Sequence, residues 1–240
     1  MGKLRSSSMI VIMLILCLFG EVLCKSKKPK PKPHSSDFDF FYFVQQWPGA
    51  YCDTKGHKCC YPNTGKPTTD FHIHGLWPNY NDGGYPSSCD SSKPFDESEL
   101  DDDFLSKLTT EWPSFTCPSI GTKFWAHEWN KHGTCAQSVF NNQRDYFQAG
   151  LDLKKKTNLL QALGNSKIIP NDEFYNVEDV KEAMKNEIGF YPWLECNIDG
   201  EGNSQIYQVY VCVGKNGKDF IECPVLPHGN CASRVQFPKF

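Results

Sequence analysis

The sequence predicts an α+β fold: a central antiparallel sheet covered by helices and stapled by disulfides. Three observations lead there. Strand-like and helix-like stretches mix along the chain without regular βαβ alternation. The two clearest strand patterns, FDFFYFVQQ at 38–46 and IYQVYVCV at 206–213, lie far apart, with helical periods between them. The chain holds 12 cysteines, and ten of them follow a leader-like N-terminus, an even number that implies a disulfide framework. Spacing alone does not choose their pairing.

Taken in order, residues 1–24 read as a signal peptide. Lys3 and Arg5 precede an apolar run from Met9 to Phe19, and Gly20 and Glu21 break it well short of a membrane span. Residues 25–36 are basic and rich in lysine and proline (KSKKPKPKPH), a composition for an extended, solvated segment that forms neither helix nor sheet. It is either a spacer or an electrostatic tether. Residues 37–240 show no internal repeat and no composition break, so they are expected to be one domain and a monomer. No further stretch approaches spanning length, and there is no N-x-[ST] sequon.

Within that domain, the aromatic strand at 38–46 ends at Trp47-Pro48-Gly49, and Cys52–Cys60 reads as a small loop. Asp70–Leu76 is a second strand, stopped by Pro78. Residues 80–96 are loop, with Asn81, Gly83, Gly84 and two prolines. Leu100, Phe104, Leu105 and Leu108 keep helical period, with Ser98 and Glu99 near the start. A helix over Phe124 comes next. Phe147, Leu151, Leu159, Leu160 and Leu163 predict one or two more, with Gly164 as stop. Val177, Val180, Met184 and Ile188 predict a last one, stopped by Gly189. The strand at 206–213 turns at Gly214–Gly217 toward a hairpin partner at Asp219–Cys223.

The chemistry concentrates in two short pieces, FHIHGLWPNY (71–80) and FWAHEWNKHGTC (124–135). On a helix, His127 and Lys131 share one face at i,i+4, and Glu128 and His132 share the neighbouring one. His127-Glu128 resembles the start of a zinc-protease motif, but His132 comes one residue too late, and i,i+5 rotates its ring away. No Walker loop, no nucleophile elbow and no C-x-x-C pair is present. What remains is metal-free, cofactor-free acid–base catalysis. Two imidazoles act as base and acid, and Lys131 supports charge on phosphoryl oxygens. The protein offers no nucleophile, so the substrate must bring one, and the RNA 2′-OH sits beside its phosphodiester. A net charge of −3 and pI near 6.2 are no footprint for tight nucleic-acid binding, though they allow brief local contact.

H-G-L-W-P followed about 50 residues later by H-E-W-x-K-H-G-T-C resembles the paired signature of the T2 family of ribonucleases, and the likeness runs from FVQQWPGAYC to the closing cysteines. It looks closest to the plant S-like branch. The resemblance implies the family's α+β architecture and a secreted or vacuolar endoribonuclease acting on single-stranded RNA. Cleavage would run through a 2′,3′-cyclic phosphate to 3′-phosphate ends, without metal. It implies His132 as general base, His74 as general acid and His127 as phosphate binder, with Glu128 and Lys131 stabilising the pentacoordinate phosphorus. Gln46, Trp77 and Phe124 match the family's substrate pocket, with core packing the competing role for each. It also implies the pairs Cys52–Cys59, Cys60–Cys117, Cys89–Cys135, Cys196–Cys231 and Cys212–Cys223. His72 departs from the pattern, standing where many relatives carry a smaller residue. On a strand it would share a face with His74, and if protonated it would lower the pKa of His74.

Overall fold

The computed structural model describes residues 32–33, 37–56, 58–229 and 231–240. The expected signal peptide, and the basic segment apart from Lys32–Pro33, lie outside them. At Lys32–Pro33 (β1) the backbone pairs in parallel with Pro86–Ser87 (β4), so these two residues depart from the expectation of no sheet.

The main sheet has six strands, in the order β3-β2-β7-β8-β5 with β6 on the other side of β7. Its centre is β2 (Phe40–Gln46), antiparallel to both β3 (His72–Asn79) and β7 (Ser204–Gly214). The β6 strand (Trp193–Ile198) is antiparallel to β7, and the short β5 (Phe174–Asn176) and β8 (Arg234–Gln236) close the far edge. One contact, Gln205 opposite Gln236, is parallel.

Every residue of β2 is buried, which its near-continuous aromatic run anticipates. Phe41 and Phe43 face a core built by the helices on that side. Those helices are α2 (Asp102–Glu111), α3 (Gly121–Lys131) and α4 (Gln143–Lys155). Phe40, Tyr42 and Val44 face the other way, toward Tyr210 and Cys212. A further core lies under α5 (Leu159–Asn165) and α6 (Val177–Ile188), around Trp47, Phe71, Val180, Met184 and Val209. Gly189 ends α6 in the left-handed conformation (φ 91°) that favours glycine.

Several local expectations change. Pro48 opens a six-residue helix, α1 (Pro48–Asp53), because its fixed φ suits the first turn. Pro78 stays within β3, since β3 is an edge strand and the missing N–H costs no ladder bond. The helix expected near Ser98 and Glu99 begins a little later, at Asp102, with Asp101 capping α2 by accepting the Phe104 N–H at 2.8 Å. Gly164 lies inside α5, which runs to Asn165. Asp219–Cys223 folds back antiparallel on β7 as expected but is too short to form a strand of its own: it is held by the Val213–Phe220 bridge, by Gly214 N–H to Asp219 O (2.8 Å) and Ile221 N–H to Cys212 O (2.9 Å), and by the Cys212–Cys223 disulfide. The long partners of β7 are β2 and β6, which pair with it over most of its length. Strands β5, β6 and β8 have no counterpart in the sequence reading; each is short and half-exposed, too weak a pattern to announce itself. All five expected disulfides are formed.

Candidate active site

The two histidine segments meet where β3 passes under the C-terminal end of α3. Two tryptophans one turn apart set the roll of that helix. Trp125 and Trp129 are buried, and their indole N–H groups donate to Trp112 O at 2.8 Å and Lys93 O at 2.9 Å. With that face locked inward, Glu128 and His132 turn toward the sheet and are 1% and 5% exposed. His127 is exposed and Lys131 half-exposed, at the rim. His132 caps the helix, its N–H donating to Glu128 O at 2.9 Å. Gly133 follows because a Cβ there would sit 2.3 Å from the Trp129 ring. The Cys89–Cys135 bridge and the Ser88 N–H to Lys131 O bond (2.9 Å) tie this end of the helix to the loop after β3.

A β-bulge aims His74. Val44 pairs with Gly75 and Gln45 with Ile73, leaving His74 as the extra residue of β3. Its carbonyl accepts the Trp112 indole N–H at 2.8 Å, and its Nδ1 donates to Gln208 Oε1 on β7. Trp77 stands between the two imidazoles. Its ring stacks on His132 (centroids 5.2 Å, 25°) and meets His74 edge-on (5.0 Å, 79°). Its Nε1–H donates to Glu128 Oε2 at 2.8 Å. Gly75 makes room: a Cβ there would fall 1.9 Å from Trp77 Nε1 and 2.5 Å from Glu128 Oε2.

Burial sets the protonation states. It pushes the Glu128 carboxyl up to about 8, against the opposing pull of the Trp77 N–H and Lys131. It pushes His74 down to about 4; the Gln208 bond resists, while Lys131 and His127 add to the fall. Burial, helped by Lys131, His127 and His74, drives His132 well below the usual imidazole range. His127 is lowered by partial desolvation and then by Lys131.

The sequence-selected residues therefore come together: His74, His127, Glu128, Lys131 and His132, with Trp77 at their centre. The Phe124 ring lies 5.8 Å from His74. Gln46 sits in register between His72 and Gln208 on the same sheet face, 4% exposed. His72 is corrected. It is 1% exposed, its Nε2–H donates to Thr68 O at 2.9 Å, and its ring packs on Phe115. Burial holds it neutral by lowering its pKa, so it places no like charge beside His74. The residues that sequence reasoning missed are Gly75, Trp112, Gln208 and Glu195. Gln208 carried a signal, as the lone polar side chain within IYQVYVCV. Among the described residues, no group of three or more His, Cys, Asp or Glu side chains is placed to hold a metal ion, and no helix is long and apolar enough to cross a membrane.

Residues 38–223 match the model of the ribonuclease T2 family. Ribonuclease 1 of Arabidopsis thaliana is 58% identical over 201 residues, covering 83% of this chain and 86% of that protein. Intracellular ribonuclease LX of Solanum lycopersicum is 51% identical over 243 residues, covering 100% of this chain and 96% of its own length. A crystal structure of RNase NT in complex with 5′-AMP superposes with a TM-score of 0.81 at 53% identity, covering 85% of this chain and 100% of that one. The extent of these matches, together with the paired histidine segments that form one site, shows that this chain belongs to the ribonuclease T2 family.

Proposed function

We propose that this protein is an endoribonuclease that cleaves single-stranded RNA by metal-free transesterification. The observation that carries the reading is the pair of buried imidazoles, His74 and His132, held on either side of Trp77 beside the buried Glu128 carboxyl that accepts the Trp77 N–H. His132 takes the proton of the 2′-OH. Its Nδ1 is buried without a partner, so the exchange runs through Nε2. The 2′-oxygen then attacks phosphorus, and the P–O5′ bond breaks as His74 protonates the leaving oxygen. A 2′,3′-cyclic phosphate results, and water opens it to a 3′-phosphate with the two roles reversed.

Between attack and departure, negative charge gathers on the phosphoryl oxygens. Lys131 and His127 meet it from the rim. Glu128, neutral below about pH 8, donates a hydrogen bond where an ionised carboxylate would repel. The bases are held by Gln46, Trp77 and Phe124 through stacking and edge contacts. The nucleotide bound by RNase NT supports a substrate of this class.

Both histidines titrate below their ordinary value. The acid limb of kcat/KM, set by protonation of His132, and the alkaline limb, set by loss of the His74 proton, therefore both fall on the acid side of about pH 6.5. Residues 1–24 and the five bridges support passage through the secretory pathway, to the outside or to a vacuole.

The test is purified protein with a defined RNA and its matched DNA in excess EDTA, with the ends resolved. RNA cleavage to cyclic phosphate with intact DNA is expected. His74→Ala and His132→Ala each lose ~10²–10⁴ in rate. Scission of the DNA, or loss of activity in EDTA, overturns the mechanism.

A further inference from the structure

The polar residues behind His74 form a directed chain that the mechanism above does not use. Glu195 on β6 and Gln208 on β7 are directly opposed across the sheet. The Gln208 amide Nε2–H donates to Glu195 Oε2 at 2.7 Å, and Tyr210 Oη–H donates to the same oxygen at 2.8 Å. Gln208 is 5% exposed, and its Oε1 accepts the Nδ1–H of His74. An amide has two ends of similar size, and chemistry decides which one faces which neighbour. A carboxylate only accepts, so it takes the NH₂ end and leaves the oxygen for His74. The opposite orientation would set two acceptors against each other and aim an N–H at His74 Nδ1.

We propose that Glu195, acting through Gln208, is a positioning residue that fixes the tautomer of His74, holding the proton on Nδ1 and reserving Nε2 for the substrate. The idea deepens the general-acid role assigned to His74 and rests on it. When the imidazolium delivers its Nε2 proton to the 5′-oxygen, it relaxes to the Nδ1–H tautomer, the form that Gln208 Oε1 stabilises. A flipped Gln208 would favour the opposite tautomer and oppose the imidazolium. The amide is neutral, so it orients the ring without placing a full negative charge beside it. The bulge at His74 serves the same end, bringing a residue out of register with β2 to a partner one strand further on.

Other charged and titratable groups also face this ring: Lys131, His127 and His132 from the end of α3, and Glu128 through Trp77. They are unchanged in the variants that follow. Glu195→Gln preserves shape but supplies an amide that can either accept from the Gln208 NH₂ or donate to its oxygen, so it releases the orientation. Glu195→Gln/Gln208→Glu reverses the pair. A carboxylate then accepts from His74 Nδ1–H, and an amide supports it from behind.

The experiment reads the 15N ring shifts of His74 in the free protein, beside kcat and its pH profile on RNA. Native protein shows the Nδ1–H tautomer. Glu195→Gln shows a mixture and loses roughly 10–100-fold in kcat with KM little changed, the scale on which partners that orient a working histidine act. The reversed pair restores a single Nδ1–H tautomer and moves the alkaline limb upward, because a carboxylate now favours the imidazolium. A Glu195→Gln protein with native thermal stability, an unmixed tautomer and an unmoved pH profile overturns the proposal. The ring shifts are measured without substrate. A failed acid assignment would therefore appear as activity surviving His74→Ala, while the tautomer result still decides the role of Glu195.

Discussion

Replacing Glu128 by glutamine removes a proton that the fold holds at a cost, and the consequence is measurable without substrate. In the native protein the carboxyl titrates near about 8, against an ordinary value of 4.5. Between those values the unfolded chain ionises Glu128 while the folded protein keeps it neutral. The folded state then binds more protons, and stability falls as pH rises. The contribution is full below 4.5 and is lost as pH climbs through about 8. His74 and His132 act in the opposite sense, since burial lowers them and stability falls as pH drops through their folded values. Together they place the stability maximum near about pH 6.5, above which Glu128 acts alone among the three. At about 1.4 kcal/mol per pH unit, the alkaline fall attributable to Glu128 between about pH 6.5 and 8 is about 2 kcal/mol. Glu128→Gln keeps an oxygen to accept the Trp77 N–H but has nothing to titrate. Urea denaturation of both proteins at the two pH values, at fixed ionic strength, gives the difference directly. Other titrating groups cancel in it. The variant should lose the alkaline fall. If the two stability curves run parallel, Glu128 is already ionised in the folded protein and cannot donate a hydrogen bond to phosphoryl oxygen.

Three further outcomes follow from the packing. Gly75→Ala drives a methyl into Trp77 Nε1 and Glu128 Oε2. It should cost roughly 1–3 kcal/mol and depress kcat well beyond what that loss explains, read by denaturation and turnover together. His72→Ala should lower the Tm, at roughly 2 kcal/mol, because the ring is buried against Phe115 and bonds Thr68 O. It should leave the acid limb of the pH–rate curve in place, since the ring is neutral; a moved limb would contradict that. Lys154→Met breaks the 2.7 Å pair with Asp70, in which the lysine is 7% and the aspartate 31% exposed. With one partner reachable by water, the expected loss is about 3 kcal/mol, with little change in kcat.

Sequence legibility tracks how local the determining physics is. Helix α6 is legible because its apolar stripe and its left-handed glycine are both encoded within a few residues. The aromatic run of β2 is legible for the same reason. The rest of the sheet depends on partners distant in the chain. Strand β6 is half-exposed and pairs only with β7, and β8 touches β7 at one residue pair. Neither alternation nor propensity reaches significance in three to six such residues. The hairpin expected at Gly214–Gly217 forms, but its second arm stays short for a related reason. The turn is real, with Gly214 N–H donating to Asp219 O at 2.8 Å, but β2 and β6 take up most of β7, which local pattern cannot foresee.

The site divides in the same way. The groups that react lie in two short segments, and spacing alone put Glu128 and His132 on one face of a helix. What makes them reactive comes from elsewhere. The Glu128 carboxyl is neutral because Trp77, Gly75 and the core under Trp129 exclude water from it. Tyr146 crosses from α4 to donate to Leu76 O at 2.9 Å, helping to hold β3 in place beneath that carboxyl. The strand reading gave His72 a charge that would act on His74, and burial refutes it by holding His72 neutral. One extra residue in β3 turns His74 to Gln208, while His72 sinks into a neutral pocket. Burial, rather than position along the strand, therefore decides the charge of both histidines, while the register shift between Val44 and Gln45 decides which partner His74 meets. The partners differ as a result: His74 bonds Gln208 on β7, two strands away, and His72 bonds the Thr68 carbonyl in its own chain segment, which is why identical residue types two positions apart end up with different roles.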